Sequence, residues 1–266
     1  MDYDITTLKR LFLLLLVCLM LVACEAQATP ISGVQTPTAT TEPMITLPLQ
    51  IRYGLYANVL GFVQDLDILQ ASALVEAISA ENAIPDYDVV VAYGIYDGWQ
   101  QSPVKQHVSL IINPNLVPLD DENISNIVRQ LAYSLELPDI FYIPKPLPPA
   151  IQSVTEAKTA LANVGYPDGF VLTMAVNIVP ALEAIAAQFT ERNIDLHIIE
   201  SESDVLAKNR AHLILALWTE DAQRTAWIEQ VGEQNVVDLF TLPISYLASD
   251  ELHITFTEYG WPVPAR

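Results

Sequence analysis

The hydrophobic pattern changes period several times along the chain, and each change marks an element. Val154, Ala157, Leu161 and Val164 recur at helical spacing. Ser153-Val154-Thr155-Glu156, at the start of that run, reads as a capping box: the Ser153 hydroxyl can accept from the N–H of Glu156, whose carboxylate can reach back to the cap. Gly165 suits a left-handed residue just past the helix end, because it has no Cβ to clash. Pro167-Asp168-Gly169 is turn chemistry. Phe170 to Val176 is apolar on both faces, as expected of a central parallel strand. Pro180 fits a first helical turn, and Leu182, Ile185, Ala186 and Phe189 then form a buried stripe. Asn193 ends that helix, and Ile194 to Glu200 is a strand, so the stretch closes as a βαβ unit.

The same reading extends both ways. Upstream it predicts a strand over Gln50 to Tyr56 and a helix over Leu66 to Ala80, with Leu66, Leu69, Ala73, Val75 and Ile78 mostly on one face. It then predicts a strand over Asp86 to Tyr93 closed by Gly94, and another over His107 to Ile112 broken by Asn113-Pro114. Asp120 to Leu135 is a helix whose first turn carries Asp120, Asp121 and Glu122, which complement the positive end of the helix dipole. Downstream come a short helix over Asp204 to Asn209, a strand over Ala211 to Trp218 and a helix over Ala222 to Val231. Strands over Val236 to Phe240 and His253 to Thr257 follow. No clean internal repeat is visible. Both halves alternate β and α, so the expected fold is α/β: two small lobes with mostly parallel sheets. The expected lobes are 47–137 and 150–266, joined by a stiff proline-rich connector over 138–149.

Ahead of the folded part, Lys9 and Arg10 precede an unbroken apolar run from Leu11 to Ala23. The run is shorter than the ~20 residues that span a bilayer comfortably and fits the core of a signal peptide over 1–23. It ends in Leu21-Val22-Ala23-Cys24, which resembles the lipobox of bacterial lipoproteins. That resemblance implies that Cys24 becomes a lipidated N-terminus, held to membrane lipid on the extracytoplasmic side; an uncleaved anchor would also put the domain outside the cell. Residues 24–46 are rich in Thr, Pro, Ala and Gln and bury too little to offset ordering entropy, so they read as a flexible tether. The chain has two cysteines, Cys18 and Cys24. The mature domain is therefore expected to lack thiols, disulfides and thiolate metal sites.

A second resemblance rests on Glu156-Ala157-Lys158, Leu161, Gly165-Tyr166-Pro167-Asp168-Gly169-Phe170 and Leu172-Thr173. This segment resembles one in extracytoplasmic solute-binding proteins of the oligopeptide/dipeptide-binding branch, which serve ABC importers. Pro118-Leu119-Asp120-Asp121 followed by Val128-Arg129-Gln130 and Leu131-Ala132-Tyr133 is similar to an earlier part of the same family. The resemblance covers roughly residues 108 to 221. It implies a periplasmic-binding-protein-like fold, an ABC permease as partner and a small solute or peptide as ligand.

In open α/β sheets a ligand binds outside the carboxyl ends of the strands. Three places qualify on that ground. Trp218 with Asp221 follows the strand ending at Trp218; Tyr96, Asp97 and Trp99 follow the strand ending at Tyr93; Asn58 follows the first strand. The family resemblance further implies that Asp221 pairs with a ligand ammonium group and Trp218 packs on the ligand. The residues alone leave open that Trp218 is core and Asp221 a helix cap.

A formal charge of −20 argues against nucleic acid, which needs a basic footprint. Enzyme signatures such as a nucleophile elbow, a zinc-protease motif or a phosphate-binding loop are absent. His107, His197, His212 and His253 are scattered without metal-ligand spacing, so no catalytic residue, cofactor or metal is expected. Two functions fit: solute capture for an importer, or an interaction lipoprotein that keeps the fold without transport.

Overall fold

A computed structural model describes residues 50–56, 58–59, 61–78, 84, 86–137, 151–177, 179–202, 205–206 and 208–265. The expected signal peptide, Cys24, the tether and the proline-rich connector lie outside the described residues. The elements in order are β1 (Arg52–Tyr56), α1 (Leu66–Ser72), β2 (Leu74–Ile78), β3 (Val89–Tyr93), β4 (Gln100–Gln101), β5 (Gln106–Ile112), α2 (Glu122–Tyr133) and α3 (Val154–Asn163). Then follow β6 (Phe170–Val176), α4 (Leu182–Glu191), β7 (Ile194–Glu200), β8 (Leu213–Trp218), α5 (Asp221–Val231), β9 (Val236–Leu242), β10 (Ile244–Ala248), β11 (His253–Phe256) and β12 (Pro262–Ala265).

The fold is mixed α/β, built on two five-stranded sheets with one plan. The first sheet runs β2-β1-β3-β10-β4, the second β7-β6-β8-β5-β9. In each, the first three strands are parallel and the fourth is antiparallel to both its neighbours. That fourth strand is reached from the other sheet: β5 follows β4, and β10 follows β9. The sheets thus draw strands from both sides of the 138–149 segment. The two crossings lie side by side. Gln106 sits opposite Leu242 in the β5–β9 ladder, Gly94 N donates to Pro243 O at 2.9 Å, and Ser102 N donates to Ile244 O at 2.9 Å. A small third sheet, β11–β12, closes the chain.

One core runs from Ile51 to Trp261 and joins the first sheet to one face of the second. On the second sheet it takes the alternate residues Val108, Leu110 and Ile112 of β5 and Leu213 and Leu215 of β8. The apolar stripes of α2, α3 and α4 close over them through Val128, Leu131, Leu161, Ile185 and Phe189. Burying each such side chain contributes roughly 1.5–3 kcal/mol. The opposite face of the second sheet carries Ile111, Ala175, Ile214 and Ala216, packed around Val231 of α5.

Local chemistry explains the α3–β6 region. Ser153 Oγ accepts from Glu156 N at 3.1 Å, and Glu156 Oε2 accepts from Ser153 N at 3.0 Å, closing the expected capping box. The Glu156 carboxyl is held below its usual range, first by the Gln152 N–H and then by the Ser153 N–H. Gly165 and Gly169 both have positive φ, +93° and +78°. Only Gly169 is also sterically required: a Cβ there would overlap the Asn193 carbonyl, which accepts from Phe170 N at 3.2 Å.

Several expectations are corrected. The apolar period over Leu66 to Ala80 breaks at Ala73: helix α1 stops at Ser72, and Leu74–Ile78 is strand β2, parallel to β1. A strand in register with β1 satisfies backbone groups that a longer helix there would leave without sheet partners, and the β-branched Val75 and Ile78 suit it. Val205, Leu206, Lys208 and Asn209 lie in turns rather than the expected helix. Phe170–Val176 is buried on both faces only in its second half, since α5 packs on β8, β9 and β5, and Val171 stays 63% exposed. Strands β4, β10 and β12 were not anticipated; β10 lies in Ile244–Ala248, directly after Leu242-Pro243.

Candidate ligand cleft

A cleft of about 570 Å³ opens at the carboxyl ends of β6, β7 and β8. Val176 and Asn177 line it from β6, Ile198, Ile199 and Glu200 from β7, and Leu217 from β8, with Leu182 at the start of α4. Gln64, in the segment after β1, and Tyr259, between β11 and β12, complete the lining. The volume falls within the roughly 300–1,000 Å³ usual for small-molecule sites.

A buried polar chain fixes the Gln64–Tyr259 wall. The Tyr93 hydroxyl donates to Gln106 Oε1 at 2.9 Å, and Gln106 Nε2 donates to the Tyr259 carbonyl at 2.8 Å. Trp261 Nε1 donates to Gln64 Oε1 at 3.3 Å, and the Trp261 ring packs on Tyr93 with centroids 5.5 Å apart. Gln106 and Trp261 are both fully buried. Burial drives the Tyr93 phenol well above its usual range against a smaller opposing pull from Gln106, so it stays a donor. The Tyr259 phenol is also raised, first by burial and then by the carboxylates of Glu258 and Asp65.

Trp218 does not line this cleft. It is the neighbouring Leu217 that does, and alternation along a strand turns Trp218 to the opposite face. There the indole is buried, stacks on His107 with centroids 4.4 Å apart, and donates from Nε1 to Ser109 Oγ at 2.8 Å. Ser109 Oγ donates in turn to Asp238 Oδ1 at 2.8 Å, and Arg224 forks onto both Asp238 oxygens. His107 is pushed below its usual pKa, mainly by burial, against the opposing fields of Asp238 and Asp221. Asp221 is the exposed first residue of α5, behind the N-cap Glu220.

The first-sheet candidates do come together. Asn58 Nδ2 and the Tyr96 hydroxyl both donate to the Tyr93 carbonyl at 3.1 Å. Trp99 packs between Tyr96 and Tyr56, with centroids 4.9 and 6.0 Å away. Asp97 is exposed in the turn they frame. The rings pack on one another as a cluster at the carboxyl ends of β1 and β3.

The cleft residues Asn177, Glu200, Gln64 and Tyr259 were missed by sequence reasoning. Asn177 and Glu200 had a signal, because they stand at or just past the carboxyl ends of strands whose bounds the sequence gives. Gln64 and Tyr259 had none, since only the packing of the C-terminal hairpin brings them there. Among the histidines, His212 accepts from Thr173 N through Nδ1 at 3.0 Å, which leaves Nε2 to donate to the Val117 carbonyl at 3.0 Å. Among the described residues no helix is long and apolar enough to cross a membrane, and no group of three or more His, Cys, Asp or Glu could hold a metal ion.

No protein-family model and no curated protein matches the chain. Solved structures are similar in part. A dipeptide-binding protein from Pseudoalteromonas sp. SM9913, in complex with Met-Leu, superposes with a TM-score of 0.44 at 11% identity, over 71% of this chain and 56% of that one. The periplasmic binding protein DppA from Helicobacter pylori, in complex with the peptide STSA, gives 0.40 at 13% identity, over 71% and 54%. OppA from Haemophilus influenzae, in complex with RPPGFSPFR, gives 0.41 at 15% identity, over 70% and 55%. The chain spans little more than half the length of each.

Proposed function

We propose that this chain is a solute-binding lipoprotein: anchored outside the cytoplasm through Cys24, it captures a small peptide or another ammonium-bearing solute and delivers it to an ABC permease. The observation that carries this reading is the cleft. It lies at the carboxyl ends of parallel strands, where open α/β sheets bind ligands. Its two walls come from parts of the chain far apart in sequence and joined through the paired crossings at Ser102–Lys105 and Pro243. The sequence resemblance around Gly165-Tyr166-Pro167-Asp168-Gly169-Phe170 supports the same reading. The chain is not proposed to be an enzyme.

One observation favours a second reading, a non-transport interaction lipoprotein on a degenerate binding fold. Trp218, which the family resemblance assigns to ligand packing, is turned into the face beneath α5 and hydrogen-bonded there.

The test is a search for bound solute by mass spectrometry on the purified protein, followed by thermal-shift measurements with amino-acid and peptide pools. Retention of a solute that also raises the melting temperature supports capture. No retained solute and no shift with any pool would sink it in favour of the second reading.

A further inference from the structure

We infer that the cleft selects a solute with a cationic, hydrogen-bond-donating end and an apolar body, and that Glu200 is the counter-charge; this rests on the binding role proposed above. Glu200 is the one charged side chain among the described residues that line the cleft, and no Lys, Arg or His lines it there. Glu200 has no ion pair among the described residues, unlike Glu76, Glu122, Glu202 and Asp238, each of which is held by an arginine. Its carboxylate therefore stands at the cleft with its acceptor positions open.

The charge around Tyr259 has the same sign. Tyr259 is flanked by the carboxylates of Glu258 and Asp65, whose fields both reach its phenol. Asp65 Oδ2 is buried and has no hydrogen-bond partner in the structure. An anion entering here would meet the Glu200 carboxylate, with Glu258 and Asp65 near Tyr259 and no cation in the described lining to receive it. A cation would be attracted by these carboxylates and could donate to Glu200.

The apolar half is equally local. Ile198 is 39% exposed, and it lines the cleft with Val176, Leu182 and Leu217. Ile198 and Glu200 are two residues apart on β7, so they project to the same side about 7 Å apart along the strand. A ligand that covers Ile198 and reaches Glu200 carries its positive group roughly that far from its apolar centre.

The experiment offers the full chain an equimolar mixture of three dipeptide series with the same aliphatic side chains: dipeptide amides (cationic), N-acetyl dipeptide amides (neutral) and N-acetyl dipeptides (anionic). Native mass spectrometry reads retention at about 0.15 M ionic strength, where charges beyond about 8 Å are largely screened. The cationic series should be retained roughly five- to tenfold over the neutral one, and the anionic series should be last. Glu200→Gln, which keeps shape and polarity, should bring the cationic-to-neutral ratio close to one. It changes a net charge of −20 by a single unit, so a ratio that merely reports general attraction of cations would survive it. Equal retention of all three series, or an unchanged ratio in Glu200→Gln, overturns the inference and leaves the binding role standing. Failure of every series, together with failure of the wider pools above, overturns both.

Discussion

The indole N–H of Trp218 donates to Ser109 Oγ at 2.8 Å. This bond ties the last residue of β8 to the middle of β5 and hands on to Asp238 and Arg224. It makes Trp218 the buried end of a polar chain beside α5 that runs out to the partly exposed Asp238 and Arg224.

Replacing Trp218 by Phe keeps a ring against His107 but removes the donor. The Ser109–Asp238–Arg224 chain then loses one end in a buried setting. Chemical denaturation should show a loss of about 1–3 kcal/mol. Because Leu217, not Trp218, lines the cleft, the substitution should leave retention of any captured solute unchanged.

Gln106 holds the place where the chain passes between sheets. Gln106→Leu fills similar space yet strands the Tyr93 hydroxyl and the Tyr259 carbonyl, both of which Gln106 now satisfies. Each buried group left unpaired costs about 1–3 kcal/mol. Denaturation should therefore register a larger loss for Gln106→Leu than for Tyr93→Phe, which leaves only the Gln106 acceptor unmatched.

The two glycines of the α3–β6 turn should separate sharply. Nothing lies within 4 Å of where a Cβ on Gly165 would point, so Gly165→Ala meets only the positive-φ penalty, of order 1 kcal/mol. At Gly169 the same change drives a methyl into the Asn193 carbonyl and disrupts its bond to Phe170. A melting temperature lowered further by Gly169→Ala than by Gly165→Ala is expected, and the reverse order would contradict the geometry.

His107 gives the fold a pH dependence. Its pKa is lowered in the folded state, chiefly by burial, so the unfolded chain takes up the proton more readily. The contribution is complete above the unfolded value of about 6.5 and is lost as pH falls through the folded pKa. Denaturant midpoints measured across that window should fall with acidification. His107→Phe, which retains the stack on Trp218, should flatten that part of the profile.

Much of the second sheet was legible without coordinates. The spans of β6 and β7 follow directly from Phe170 to Val176 and Ile194 to Glu200, because strong punctuation stands on both sides: a capping box at Ser153, Gly165, Pro167-Asp168-Gly169 and Asn193. The β1–α1–β2 stretch was harder. Seven helical residues followed by five strand residues are too short for either period to declare itself, and the parallel partner β1 decides the outcome.

The site was less legible than the fold. The rule that ligands sit beyond carboxyl strand ends pointed to the edge of the second sheet where the cleft opens, and it could equally have chosen Asn177 and Glu200. It could not tell which residue at the end of β8 faces the cleft. One step along a strand reverses the side chain, so Leu217 and Trp218 have opposite fates.

The sequence by itself determined the α/β class, most of the strands and the turn chemistry, because these depend on contacts within a few residues. Only the tertiary structure decided the strand exchange that puts β5 in one sheet and β10 in the other, and with it the shared plan of the two sheets. It also brought Gln64 and Tyr259 to the same cleft as Glu200. Those outcomes rest on pairings between residues more than a hundred positions apart, such as Gln106 with Leu242, and no local pattern of apolar and polar positions encodes which distant strand will satisfy a given backbone edge.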